Sequence, residues 1–370
     1  VQNLVTAGLS FYLFVKRLVR LYISPDFNMS RIMVIVFGSL YYALNPWVIF
    51  RIQHIYLLVG YSLFPLVCLL FFKIFDHKFQ EVAIPDYDHT SRKLYKKNIR
   101  DIILLAYVIT ISAAAIHYFF YTAILLSMLI GLLVVKYSIK YRHLDKGIRK
   151  NMSMAFGKKM LLIGVFLIGF SFYWLIVYFG SIIFGVQASQ NNVNVVDTYV
   201  AFSRNSSILN VVFLISYWWP MIDLNQLPLW FYIGGSVITA IGIIGILYNV
   251  IKQQIVLFFV ILTSLLVVIA TGVHYPGVAK LFLFITNLPI IGSIFRDPDK
   301  LLGILAMCFD VFFVFGLETL LIKLNGVIGN KYVANTMVIG IGIFALMAYI
   351  LPFKTMYFEH FYAPVEEPIS

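Results

Sequence analysis

LLGILAMCFDVFFVFGLETLLI, residues 301–322, carries only two charged side chains, Asp310 and Glu318. A helix of this length crosses roughly 30 Å of hydrocarbon. Comparable runs recur on both sides. The apolar pattern predicts ten spans, at about 1–15, 32–50, 55–73, 102–119, 121–138, 160–184, 229–250, 254–273, 301–322 and 333–352. Composition agrees. Of the 370 residues, 61% are hydrophobic and 12% charged, where a soluble domain carries roughly 25% charged residues. So much apolar surface cannot be hidden within a soluble chain of this size, and lipid has to be its solvent. The expected class is an all-α polytopic membrane protein, with residues 1–352 as the transmembrane domain. Residues 353–370, with Pro364, Glu366, Glu367 and Pro368, read as a linker toward an external domain.

Two further stretches, 207–222 and 278–295, are apolar and read as re-entrant or interfacial segments. Trp218, Trp219 and Pro220 mark the first. Basic residues orient the spans. In one set of alternate loops the Lys and Arg cluster at 16–31, 73–100, 136–159, Lys252, Lys323 and Lys331. The opposite set holds only Arg51, Arg204, Lys280, Arg296, Lys300 and Lys354, six of the 28. By the positive-inside rule the basic set is cytoplasmic, which puts both ends of the chain outside the plasma membrane. The longer outside loops, 185–206 and 274–300, are of a kind that folds onto the membrane and roofs a cavity.

The net charge of +12 lies in these short loops. No basic, aromatic platform for nucleic acid appears, so nucleic acid is not an expected partner. Cys68 and Cys308 sit inside apolar runs and read as small core residues. No Cys/His spacing suggests zinc, and there is no P-loop, dinucleotide fingerprint or serine elbow. The chain starts at Val1 without signal-peptide features and reads as a segment whose first span lies upstream.

Three constellations could carry chemistry. Phe295-Arg296-Asp297-Pro298-Asp299-Lys300 opens the 301–322 span. Asp297 or Asp299 could cap that helix; alternatively Arg296 and Lys300 bind a phosphate while a carboxylate positions an acceptor hydroxyl. Asn45-Pro46-Trp47 through Arg51 and His54 lies in an outside turn. There Trp47 reads as an interfacial anchor, and Arg51 and His54 read either as anchors or as further phosphate donors. The intramembrane polar groups His117, Asp310 and Glu318 form the third set. Asp310 reads as protonated, paired, or part of an ion path, and Glu318 as pairing with Lys323.

Asn45-Pro46-Trp47 through Arg51, then Gly60-Tyr61-Ser62-Leu63-Phe64-Pro65, resembles the early spans of large archaeal and bacterial GT-C membrane glycosyltransferases. Phe295 to Lys300 is similar to the Arg-and-Lys motif opening a late span in their arabinofuranosyltransferase branch, and Phe361 to Val365 to their entry into an external domain. The resemblance implies a GT-C-like fold of the cell envelope. It also implies a polyprenyl-phosphate sugar donor, a glycan or lipid acceptor, and inverting transfer at the external face. The family's acidic base in its first external loop has no counterpart here, since no acid precedes Asp26. The motif therefore carries over to Arg296, Lys300 and Asp297, with Asp297 as the catalytic carboxylate and Arg51 and His54 beside them as donor-phosphate ligands. No cofactor is assigned by the sequence, although such chemistry accommodates a divalent metal. Two other classes fit the same composition. One is a transporter or lipid flippase using Asp310, Glu318 and His117, and the other is a scaffold for an external domain.

Overall fold

The computed structural model describes residues 2–23, 28–51, 54–75, 91–112, 116–140, 146–183, 195–216, 227–287 and 297–352. Among them every regular element is helical. In chain order these are α1 (Gln2–Tyr22), α2 (Met29–Leu44), α3 (Pro46–Phe50), α4 (Ile55–Phe75), α5 (Ser91–Ser112), α6 (Ile116–Lys140) and α7 (Lys146–Ile183). After them come α8 (Val195–Phe202), α9 (Ile208–Val212), α10 (Leu229–Asn249), α11 (Gln254–Ala270) and α12 (Pro276–Thr286). A 3-10 turn at Pro298–Leu301 then leads into α13 (Leu302–Ile328), and α14 (Lys331–Ile350) follows.

The expected spans fall on helical stretches except 102–119, which straddles α5 and α6, and among the described residues seven helical stretches are long and apolar enough to cross a membrane: Met29–Phe50, Ile55–Phe75, His117–Val135, Ser153–Val177, Leu229–Asn249, Pro298–Ile328 and Lys331–Ile350. The chain is thus a multi-pass, all-helical membrane protein. The other three helices are α1, which carries Lys16, Arg17 and Arg20, α5, whose first half is basic, and α11, which is only 17 residues long. Several boundaries move. The basic stretches 91–101 and 146–159, expected as connectors, are helical, because Lys and Arg are good helix formers and a helix can run on past the apolar layer. The break expected after 119 falls before Ile116, so His117 opens α6 instead of ending α5. Of the expected re-entrant segments, 207–222 shows the short α9 among its described residues, and the first half of 278–295 falls on α12; residues 217–226 and 288–296 lie outside the described residues, as does the linker 353–370.

The chain divides into two compact units, Val1–Ile55 with Tyr199–Ser370, and Tyr56–Thr198. In the first, α13 is the central element and is buried along nearly all of its length from Leu302 to Leu321. Its widest contact is with α10, and α2, α14 and α11 complete the surround. The α10–α13 crossing is a backbone-to-backbone approach. A Cβ on Gly316 would collide with the carbonyl of Ile241, and one on Gly245 with the carbonyl of Phe312. Small residues let helices close in this way where lipid removes any hydrophobic driving force between them. Polar staples fix the far end of α13. Arg31 Nε donates to Glu318 Oε2 at 3.2 Å, and Asn249 Nδ2 donates to Thr319 Oγ1 at 3.1 Å. Glu318 thus pairs with Arg31, not with Lys323 as expected; Lys323 lies over the Tyr248 ring instead. The α2–α13 packing brings Arg31 within reach of a buried acid, whereas Lys323 sits on an outer face.

In the second unit, Gly60 of α4 lies against Tyr118 of α6, whose ring stacks on Phe64 at 5.0 Å. Thr110 and Ser171 share a hydrogen bond at 3.1 Å between α5 and α7. Lys159 Nζ caps α4 through the carbonyl of Ile74 at 2.8 Å. The long α7 leaves its apolar surface largely open, from Leu161 to Val177, which suits a helix facing lipid.

Candidate functional site

Residues from two distant segments of the first unit meet where α13 begins. Asn45 ends α2, and its side chain accepts from Val48 N, starting the short α3 with Pro46 in its first turn. Proline suits that position because it lacks only an N–H that would be unpaired anyway. One turn later the chain delivers Trp47 and Arg51 to the Pro298–Leu301 turn. Trp47 Nε1 donates to the carbonyl of Asp299 at 2.9 Å, so Trp47, expected as an interfacial anchor, is a buried clamp. Arg51 Nη2 bonds Asp299 Oδ2 and stands 3.7 Å from Asp297 Oδ2. Lys300 Nζ lies 3.3 Å from the same Asp297 oxygen. Arg51 is 2% exposed, Asp299 0%, Asp297 5% and Lys300 9%.

Four ionisable side chains, two acids and two bases, are therefore out of solvent together. Burial on this scale is tolerated only when charges are paired. Pairing shows in Asp297: burial opposes its ionisation, but contact with Asp299 and the charges of Lys300 and Arg51 outweigh that and hold its pKa below the ordinary carboxylate value. Asp297 occupies the capping position of the turn yet makes no side-chain capping bond, because its carboxylate is turned toward the two cations. The expected helix cap is thus replaced by ion pairs reaching across the sequence.

His54 sits at the rim. Its backbone N–H donates to the carbonyl of Arg51 at 2.8 Å, and its side chain is exposed. Partial burial first, then the charges of Arg51 and Lys300, lower its pKa. A phosphate would meet there a neutral imidazole offering one N–H donor, not a second cation. Arg296 lies outside the described residues.

The turn after α11 lies between Ser203, just past α8, and Pro298. Gly272 has a left-handed backbone (φ +56), and a Cβ there would strike Ser203 Oγ and Pro298. Ser203 Oγ accepts from Val273 N at 3.1 Å, and the Tyr275 hydroxyl accepts from Ile208 N at 3.2 Å. Of the intramembrane polar groups, Asp310 and Glu318 belong to this unit and half-buried His117 to the other. Asp310 is fully buried, and among the described residues neither of its oxygens has a hydrogen-bond partner. Among the described residues no group of three or more His, Cys, Asp or Glu side chains could hold a metal ion.

The sequence singled out Asp299 only as an alternative cap, and Tyr41 and Tyr349, near Asp310, not at all. In a chain with 24 tyrosines nothing local marks those two. No protein-family model, curated protein or solved structure matches the chain.

Proposed function

We propose that the protein is a GT-C-like glycosyltransferase of the plasma membrane, with ten spans and both ends of the chain external. It transfers a sugar from a polyprenyl-phosphate donor to a glycan or lipid acceptor in the cell envelope. The observation that supports this reading is the meeting of Arg51 and Lys300 on one oxygen of Asp297. In the resting protein that carboxylate occupies the position an anionic ligand would take. A donor phosphate arriving at the turn would exchange places with it, as Arg and Lys favour phosphate oxygens. The displaced carboxylate would then be free to act as a base. The acceptor hydroxyl attacks the anomeric carbon, the bond to the phosphate oxygen breaks, polyprenyl phosphate leaves on the two cations, and Asp297 takes the hydroxyl proton. Fixed positive charge at the leaving group is the electrostatic assistance such a step needs. His54, neutral and exposed, adds a donor at the rim, and Arg296 is the further cation of the motif.

The test is binding and transfer by the purified full-length protein with polyprenyl-phosphate sugars. Lys300→Ala should weaken donor binding, while Asp297→Asn should keep binding and lose transfer. Transfer by Asp297→Asn at the wild-type rate would remove the proposed base, and no saturable binding to any such lipid would remove the reading. Asp310 is the observation that favours transport instead. In that case its substitution, and not that of Lys300, would abolish movement of solute across vesicles.

A further inference from the structure

Asp310 lies on the face of α13 that packs on α2. Its neighbours one turn on, Phe313 and Val314, touch Tyr41 and Gly38 of that helix. The Tyr41 ring in turn lies 5.7 Å from that of Tyr349 on α14. The site is therefore a three-helix junction sealed by aromatic rings, with Phe231 stacked on the far side of Tyr349 at 4.9 Å. Asp310 is 0% exposed, and among the described residues both carboxyl oxygens lack a donor.

Counting protons settles what the junction can offer. A phenol has one O–H. That of Tyr349 goes to the carbonyl of Phe213. The hydrogen bond between the Tyr41 and Tyr349 hydroxyls is then donated by Tyr41. Neither phenol has a proton left for a carboxylate, but the Tyr41 oxygen keeps lone pairs for an acid. An ionised Asp310 would stand in an apolar junction with no donor, a state that burial penalises heavily. A metal cation would need several further oxygens, and the two phenols are already engaged. A proton needs none. Beyond Phe213 the backbone leaves the helical form: Leu214 has φ +55, and Ser216 shares a 2.8 Å hydrogen bond with Ser206. The Tyr349 hydroxyl thus ties the junction to the turn that follows α9.

We infer that Asp310 is a proton-binding site inside the membrane domain, with a proton that exchanges as the carboxyl passes it to the Tyr41 oxygen, Tyr41 hands its own proton to Tyr349, and Tyr349 releases its proton to water. Infrared spectroscopy of the full chain in lipid vesicles tests this. The wild type should show a neutral-carboxyl C=O band that is lost in Asp310→Asn. In D2O that band should shift as the proton exchanges, and Tyr41→Phe, which keeps the ring and removes the hydroxyl, should slow the shift. As a check needing no variant, dicyclohexylcarbodiimide, an apolar reagent that couples to protonated carboxyls, should add to the wild-type peptide containing residue 310. Identical carboxyl bands in wild type and Asp310→Asn would mean that Asp310 is ionised and overturn the proposal. A band that never shifts in D2O would make the proton a sealed structural one and overturn it equally.

Discussion

Asp299 and Asp310 lie on one continuous stretch, about three turns or 16 Å apart along a helix rise, and both are fully buried. Asp299 is held by Arg51 and sits beside a second acid–base pair, Asp297 with Lys300. Asp310 has no donor among the described residues. The first site handles buried charge by bringing in opposite charge, and the second by giving the charge up. The cost of removing a group should follow that difference. Where charges are paired, deleting one strands another; where the acid is neutral, a neutral replacement strands nothing.

The largest effect is expected for Arg51→Ala, which takes the cation from Asp299 and leaves Asp297 with Lys300 as its ion-pair partner among the described residues. Breaking a buried pair on one side costs roughly 3–5 kcal/mol, read as a drop in unfolding midpoint in detergent. A loss no larger than that of a surface substitution would show that the cluster is not closed as described. Next, a double-mutant cycle on Arg31→Met and Glu318→Gln should return a coupling of about 1–3 kcal/mol. Additive effects would mean that Glu318 has another partner. Third, the lowered pKa of Asp297 makes a pH statement. Its folded value lies below its unfolded one, so its contribution is present above the ordinary carboxylate pKa of about 4 and lost as pH falls through the lower folded value. Acid destabilisation in that window should shrink in Asp297→Asn, and an unchanged pH profile would argue against an ionised, paired Asp297. The smallest effect belongs to Asp310→Asn, about 1 kcal/mol or less, since one neutral group of similar shape replaces another. A loss as large as that of Arg51→Ala would erase the contrast between the two sites.

Part of the candidate site was legible in the sequence. Arg51, Asp297 and Lys300 stand out because charge is scarce in this chain and outside loops hold few basic residues. Their grouping followed from placing both segments on one side of the membrane. Their bonding could not be read. Asp299 lies 248 residues from Arg51, and nothing nearby distinguishes a cap from an ion-pair partner. Trp47 misled for the same reason, since an indole at a helix end suits a lipid interface and a buried carbonyl equally well.

Membrane class, helical content and the position of nearly every span are properties of local composition. They depend on how many consecutive residues tolerate hydrocarbon, and a single chain states that outright. The direction each helix faces is another matter. In α13 apolar residues run all the way round, so no polar stripe marks which side meets a neighbour. Packing decided it. The close approach of Gly245 and Gly316 sets the face against α10, Glu318 meets Arg31 from 287 residues away, and Asp310 is left facing two tyrosines whose protons are already spent. Contacts between helices depend on shape and on pairings distant in sequence, so only the folded chain could choose among them.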